Sequence, residues 1–160
     1  MKRRLRVTGW LFVACLLAWP SAARADVTAF FGISTKPENR PTRGFAFGVT
    51  FIVVGFELEY ANTSEKPLIG APSLRTGMIN GLVQTPTSRA QLYLTAGGGF
   101  FQERFGEAGE TNFGTNIGGG MKLGLVGPLR LRLDYRIYNL RGKAVYHTPH
   151  RFYAGANFSF

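Results

Sequence analysis

From Leu129 to Tyr138 the chain alternates without a break. Leu129, Leu131, Leu133, Tyr135 and Ile137 fall on one face of an extended strand, and Arg130, Arg132, Asp134, Arg136 and Tyr138 fall on the other. Successive side chains of a β-strand point to opposite faces, so this segment offers one apolar face and one charged face. A helical period of 3.6 does not fit it, nor does it fit convincingly any other segment after residue 25.

The same two-sided pattern recurs along the chain. Phe56, Leu58 and Tyr60 alternate with Glu57 and Glu59, and Phe45, Phe47, Val49 and Phe51 alternate with Ala46, Gly48 and Thr50. At the end, Phe152, Ala154, Ala156, Phe158 and Phe160 share a face opposite Tyr153, Gly155, Asn157 and Ser159. This rule predicts eight strands, near 27–33, 44–51, 55–61, 75–83, 89–101, 113–124, 129–140 and 150–160. Their lengths scatter around the roughly nine to eleven residues of a tilted membrane-crossing strand. Connections alternate: long at Ser34 to Arg43, Asn62 to Leu74, Gln102 to Asn112 and Arg141 to Pro149, and short at Ile52 to Val54, Gln84 to Ser88 and Val126-Gly127-Pro128.

The first 25 residues read differently. A basic start (Lys2 to Arg6), an apolar stretch from Val7 to Trp19 and the small-x-small triplet Ala23-Arg24-Ala25 predict a cleaved secretory signal peptide over 1–25, with the mature domain spanning 26–160 and starting at Asp26. The apolar stretch is short for a helical anchor, which needs about 20 residues. Cys15, the sole cysteine, lies inside it, so the mature chain has neither a disulfide framework nor a thiolate metal site. Five of the 19 basic residues also lie there, which reduces the formal charge of +10 to a modest surplus and removes the case for nucleic-acid binding.

An open sheet leaves two edges of unpaired backbone groups that a bilayer cannot solvate, so membrane residence forces closure. The expected fold is therefore all-β, an eight-stranded antiparallel up-and-down transmembrane β-barrel. Alternation alone does not say which face is inside. A soluble barrel is apolar within, whereas a membrane barrel inverts that order. Large charged residues on opposed strands and aromatics on the apolar faces favour the second. Strands three and seven lie across an eight-stranded lumen, so Glu57 and Glu59 are expected to reach toward Arg130, Arg132 and Arg136, with Asp134 and Lys122 completing a lumen charge network.

The segments Leu131-Arg132-Leu133-Asp134-Tyr135-Arg136 and His150-Arg151-Phe152-Tyr153-Ala154-Gly155, leading to Phe160, resemble the outer-membrane β-barrel domain family of small OmpA-like and opacity-type barrels. The likeness covers about a fifth of the chain in residues and the rest in pattern only. It implies a bacterial outer-membrane location after export through the periplasm, long loops outside and short turns inside, and recognition of the terminal Phe160 by the barrel-assembly machinery. It does not fix a role, because such barrels share a fold and diverge in function.

Other motifs have plainer readings. The triplets Gly97 to Gly99 and Gly118 to Gly120 come side by side if the hairpin turns near Ala108, which would let the wall bend or make room for lumen arginines, or open a lipid-facing crevice. His147 and His150 lack nearby acidic partners and read as loop histidines. A lipid-modifying enzyme would need a nucleophile, a base and an orienting acid, and no strand carries a His-x-Ser arrangement. The basic loops either keep the outer face soluble or contact lipopolysaccharide. These readings give a monomeric, non-enzymatic protein without cofactor, metal or nucleic-acid partner. It touches outer-membrane lipid and has a structural or surface-interaction role through its loops. The alternatives are a narrow channel or carrier for small solutes and a soluble periplasmic ligand-binding barrel.

Overall fold

A computed structural model describes residues 23–86, 89–105, 108–142 and 144–160. Eight strands follow in chain order: β1 (Ala23–Thr35), β2 (Arg40–Phe51), β3 (Val54–Thr63), β4 (Ser73–Gln84), β5 (Ala90–Phe105), β6 (Ala108–Val126), β7 (Leu129–Leu140) and β8 (His150–Ser159). Each strand pairs antiparallel with the next, and β8 returns to β1, from Thr35 opposite His150 to Asp26 opposite Ser159, so the sheet is a closed barrel. The antiparallel up-and-down architecture expected from the alternation is the one observed. Backbone bonds of 2.9 Å in both directions between Ala25 and Phe160 extend the seam to the last residue.

The expected leader lies, up to residue 22, outside the described residues. Ala23 to Ala25 open β1 and pair with β2, Ala23 opposite Phe51.

Parity decides the faces. On β7, Arg132, Asp134, Arg136 and Tyr138 are buried in the lumen while Tyr135 and Ile137 are exposed on the outer wall. Around the outside stand Phe31 (73% exposed), Leu94 (71%), Phe100 (66%) and Phe56 (62%), whereas Arg132 and Arg136 are fully buried. From Phe113 to Leu125 the outward residues of β6 span about 40 Å of strand, or about 30 Å of height at a tilt near 40°, enough to cover a hydrocarbon belt about 25 Å tall.

Two expectations are corrected. The triplets are not side by side: Gly97 to Gly99 face Asn116 to Gly114, and Gly118 to Gly120 face Thr95 to Tyr93. Residues opposite each other in an antiparallel pair share a face. The lumen residues of β5 are odd-numbered (Tyr93, Thr95, Phe101) and those of β6 even-numbered (Asn116, Lys122). A turn at Ala108 would pair even with even and push one polar face outward. The pairing therefore runs odd to even, out to Phe105 opposite Ala108. The room-making reading of the glycines fits this register. A Cβ on Gly118 would lie 2.8 Å from Arg136 Cγ, and one on Gly120 would lie 2.7 Å from the Tyr93 hydroxyl.

The second correction concerns the long connections. The first is only residues 36–39, and in place of the third the paired strands run on to Phe105 and from Ala108, because β1, β2, β5 and β6 continue past the expected strand ends. The β5–β6 hairpin is consequently an extended arm rather than a loop. Two genuine loops remain at that end of the barrel, 64–72, with a 3-10 turn at Pro67–Ile69, and 141–149.

Candidate functional site: a charged lumen within an apolar wall

The inward faces of β3 and β7 meet across the barrel as predicted from their order. Arg132 donates through Nη1 to Glu57 Oε2, and Arg136 donates through Nη2 to Glu57 Oε1 at 2.7 Å. Asp134 lies between the two arginines on the same face of β7, 2.9 Å from Arg136 Nε and 3.2 Å from Arg132 Nη2. Glu59 lies 3.1 Å from Arg136 Nη1 and accepts from Arg151 Nη2 and, at 3.3 Å, from the Tyr138 hydroxyl. Nearer the short turns, Lys122 pairs with Asp26 at 2.7 Å, and Asn157 donates to the other oxygen of that carboxylate at 3.0 Å.

Four carboxylates thus face four cations among the described residues, all of them buried. That balance matters because a buried charge without a partner costs far more than a paired one. Aromatic rings tighten the packing. The Tyr93 hydroxyl donates to Asp134 and accepts from Arg132 Nε at 2.8 Å. Tyr153 stacks on Phe30 with centroids 4.0 Å apart, and the Arg151 guanidinium lies 5.1 to 5.4 Å from the rings of Tyr138, Phe30 and Tyr153.

Six of the seven residues expected in the lumen network are brought together: Glu57, Glu59, Lys122, Arg132, Asp134 and Arg136. Arg130 is not. It lies half-buried at the turn end and donates to Gln91 Oε1 at 3.0 Å rather than to either glutamate. It sits opposite Gly124, one pair before the ladder shifts register at Val126, below the carboxylates it was expected to reach. Asp26, Tyr93 and Arg151 were missed. Parity offered a signal for two of them, since Arg151 shares the face of Tyr153 and Asp26 the face of Thr28.

The loop end of the lumen is closed by apolar packing, with Leu74, Met78, Phe101, Tyr138, Leu140 and Ala144 forming one buried cluster. Above it, Arg40 donates to the Pro72 carbonyl, and Glu103 accepts the Val145 N–H at 2.8 Å. Burial pushes the Glu103 carboxyl above the usual range, against the Val145 bond and the nearby Arg40 and His147. Burial likewise lowers Arg40, against the opposing pull of Glu103. The histidines bond locally, His147 Nδ1 to the Leu140 carbonyl at 3.0 Å and His150 Nδ1 to the Tyr135 hydroxyl at 2.7 Å. Among the described residues, no three His, Cys, Asp or Glu side chains cluster as metal ligands.

A closed eight-stranded wall that is apolar outside, ionic inside and filled with side chains defines a transmembrane β-barrel of the bacterial outer-membrane type. Solved structures agree. The N-terminal β-barrel domain of Pseudomonas aeruginosa OprF aligns over 86% of this chain and 97% of its own at 14% identity, with a TM-score of 0.68. Neisserial surface protein A (NspA) aligns over 88% and 98% at 14% identity and 0.69. Ail, the attachment invasion locus protein of Yersinia pestis, aligns over 88% and 100% at 13% identity and 0.58, and has also been solved in complex with the heparin analogue sucrose octasulfate. The outer membrane enzyme PagL has the same architecture, with a TM-score of 0.52 at 13% identity. No protein-family model and no curated protein matches the chain. At these identities the likeness is one of fold, that of the small OmpA-like and Ail-type outer-membrane barrels.

Proposed function

We propose that the protein is a non-enzymatic, monomeric resident of the outer membrane, exported through the periplasm after cleavage behind Ala25, and that it acts in envelope structure or surface interaction at its loop end. The observation that carries this reading is the lumen. Matched ion pairs and an apolar plug of Leu74, Met78, Phe101 and Leu140 fill the interior and leave the outer surface as the place of action. The filled lumen also counts against the channel reading, and the exposed phenylalanines against the soluble one. Surface roles are carried by Ail, whose complex with a sulfated sugar supports an anion-facing surface on a barrel of this shape. Phe160, with its ring exposed, is the element offered to the assembly machinery.

Two measurements test this. Recovery in membranes with detergent-dependent extraction and heat-modifiable migration is expected, and recovery in the soluble periplasm would end the membrane reading. Planar bilayers containing the protein should remain silent, and discrete conductance steps would restore the channel.

A further inference from the structure

The strand register aligns a polar row on the outer wall. Arg43 on β2 is opposite Asn62 on β3, Asn62 opposite Arg75 on β4, and Arg75 opposite Gln102 on β5. Arg43 and Arg75 are exposed, and neither has an ion-pair partner among the described residues. They stand two strands apart, about 10 Å. Arg104, outward and two residues farther along β5, adds a third guanidinium at a diagonal of about 7–8 Å from Arg75. No outward position of any described strand carries a carboxylate: Asp26, Glu57, Glu59 and Asp134 are buried in the lumen, and Glu103 and Glu110, opposite each other on the β5–β6 arm, share the parity of buried Phe101.

Two residues along each strand, away from the loops, runs a second row: Phe45, Tyr60, Gly77 and Phe100. Membrane barrels carry aromatic girdles at their interfaces, and on β2 to β5 the apolar outward positions end at this row, so the guanidiniums lie just past the apolar belt on the loop side. Gly77 breaks the aromatic row directly below Arg75, and a Cβ there would meet nothing within 4 Å. The gap opens into an outer-wall furrow of about 350 Å³ between Phe47, Leu58, Tyr60 and Ile79. A cationic rim above an apolar furrow matches an anionic headgroup carrying an acyl chain. A second copy of the chain would bring guanidiniums against a wall that has no carboxylate to receive them.

We infer that the outer face of β2–β5 holds a phosphorylated membrane lipid, its phosphate on Arg43 and Arg75 and one acyl chain in the furrow over Gly77. This rests on the outer-membrane reading above and deepens it. Anionic groups at a membrane surface gain roughly fivefold in affinity per nearby Lys or Arg.

The test uses the protein purified from membranes in detergent and heat-modifiable in every variant. Retention of bisphosphorylated lipid A and of the same lipid stripped of phosphate is measured by native mass spectrometry. The wild type should prefer the phosphorylated form. Arg43→Gln with Arg75→Gln should weaken that form by about 25-fold and leave the stripped lipid unchanged, and Gly77→Leu should weaken both. Equal retention of the two lipids by the wild type, no loss in the double arginine variant, or displacement of the lipid by equimolar inorganic phosphate would each overturn the inference while leaving a heat-modifiable membrane barrel intact. Failure of detergent-dependent extraction would instead strike the reading beneath it.

Discussion

Arg132 is where the lumen network is densest, and Arg132→Met removes its charge while keeping most of its length and volume. The guanidinium is fully buried and gives hydrogen bonds to Glu57, Asp134, the Tyr93 hydroxyl and Thr28 Oγ1. Its loss leaves four carboxylates against three cations in a closed interior. Breaking a buried pair from one side costs about 3–5 kcal/mol. Here Arg136 still reaches Glu57 at 2.7 Å and Asp134 at 2.9 Å, so neither carboxylate is abandoned, and the lower end, about 3 kcal/mol, is expected. Adding Glu57→Gln restores the balance. The pair of changes should then be milder than the sum of the two by at least about 1 kcal/mol. Urea unfolding of the barrel in vesicles, followed by circular dichroism and analysed by midpoint and slope, gives the four corners of the cycle. Additivity within about 0.5 kcal/mol, or a shift below that for Arg132→Met alone, would refute the claim that charge balance in the lumen holds the wall together.

Three further outcomes are expected. Gly120→Ala would place a Cβ 2.0 Å from the Leu133 carbonyl and should cost about 1–3 kcal/mol, whereas at Gly81 the nearest atom is 3.9 Å away and alanine should be close to neutral in the same unfolding assay. Leu94→Arg sets a guanidinium against lipid tails and should lose about 2–4 kcal/mol if it lies near the midplane; a silent result would mean that this wall is wetted. Glu103 has its carboxyl pushed up by burial, so its contribution to stability is fullest in acid and falls as pH rises through the raised pKa. Glu103→Gln, which keeps an acceptor for Val145, should therefore match the wild type near pH 3.5 and unfold at higher urea near pH 7.5; the opposite pH trend would contradict the burial argument.

The site was legible to different depths. Glu57, Asp134, Arg132 and Arg136 could be placed in one lumen because alternation assigns each to a face and strand order puts β3 across from β7. Arg130 followed the same parity, yet it stays at the turn end beside Gln91, since height in the barrel depends on stagger between strands rather than on alternation. Asp26 stood one residue before the predicted start of the first strand, and Arg151, although inside the predicted 150–160, meets Glu59 only through the stagger that closure of β8 on β1 imposes across the lumen.

By itself the sequence determined the number of strands, their antiparallel order and the side to which each residue points, because a strand's period of two is a local property written in consecutive residues. The tertiary structure alone decided the β5–β6 register, the reach of the strands past the wall, and the partners that meet across the lumen or line up on the outside, such as Lys122 with Asp26 and Arg43 beside Asn62 and Arg75. Those depend on how far each strand slides against its neighbour when the sheet closes. That slide is set by all eight strands packing their inward faces at once, and no single segment encodes it.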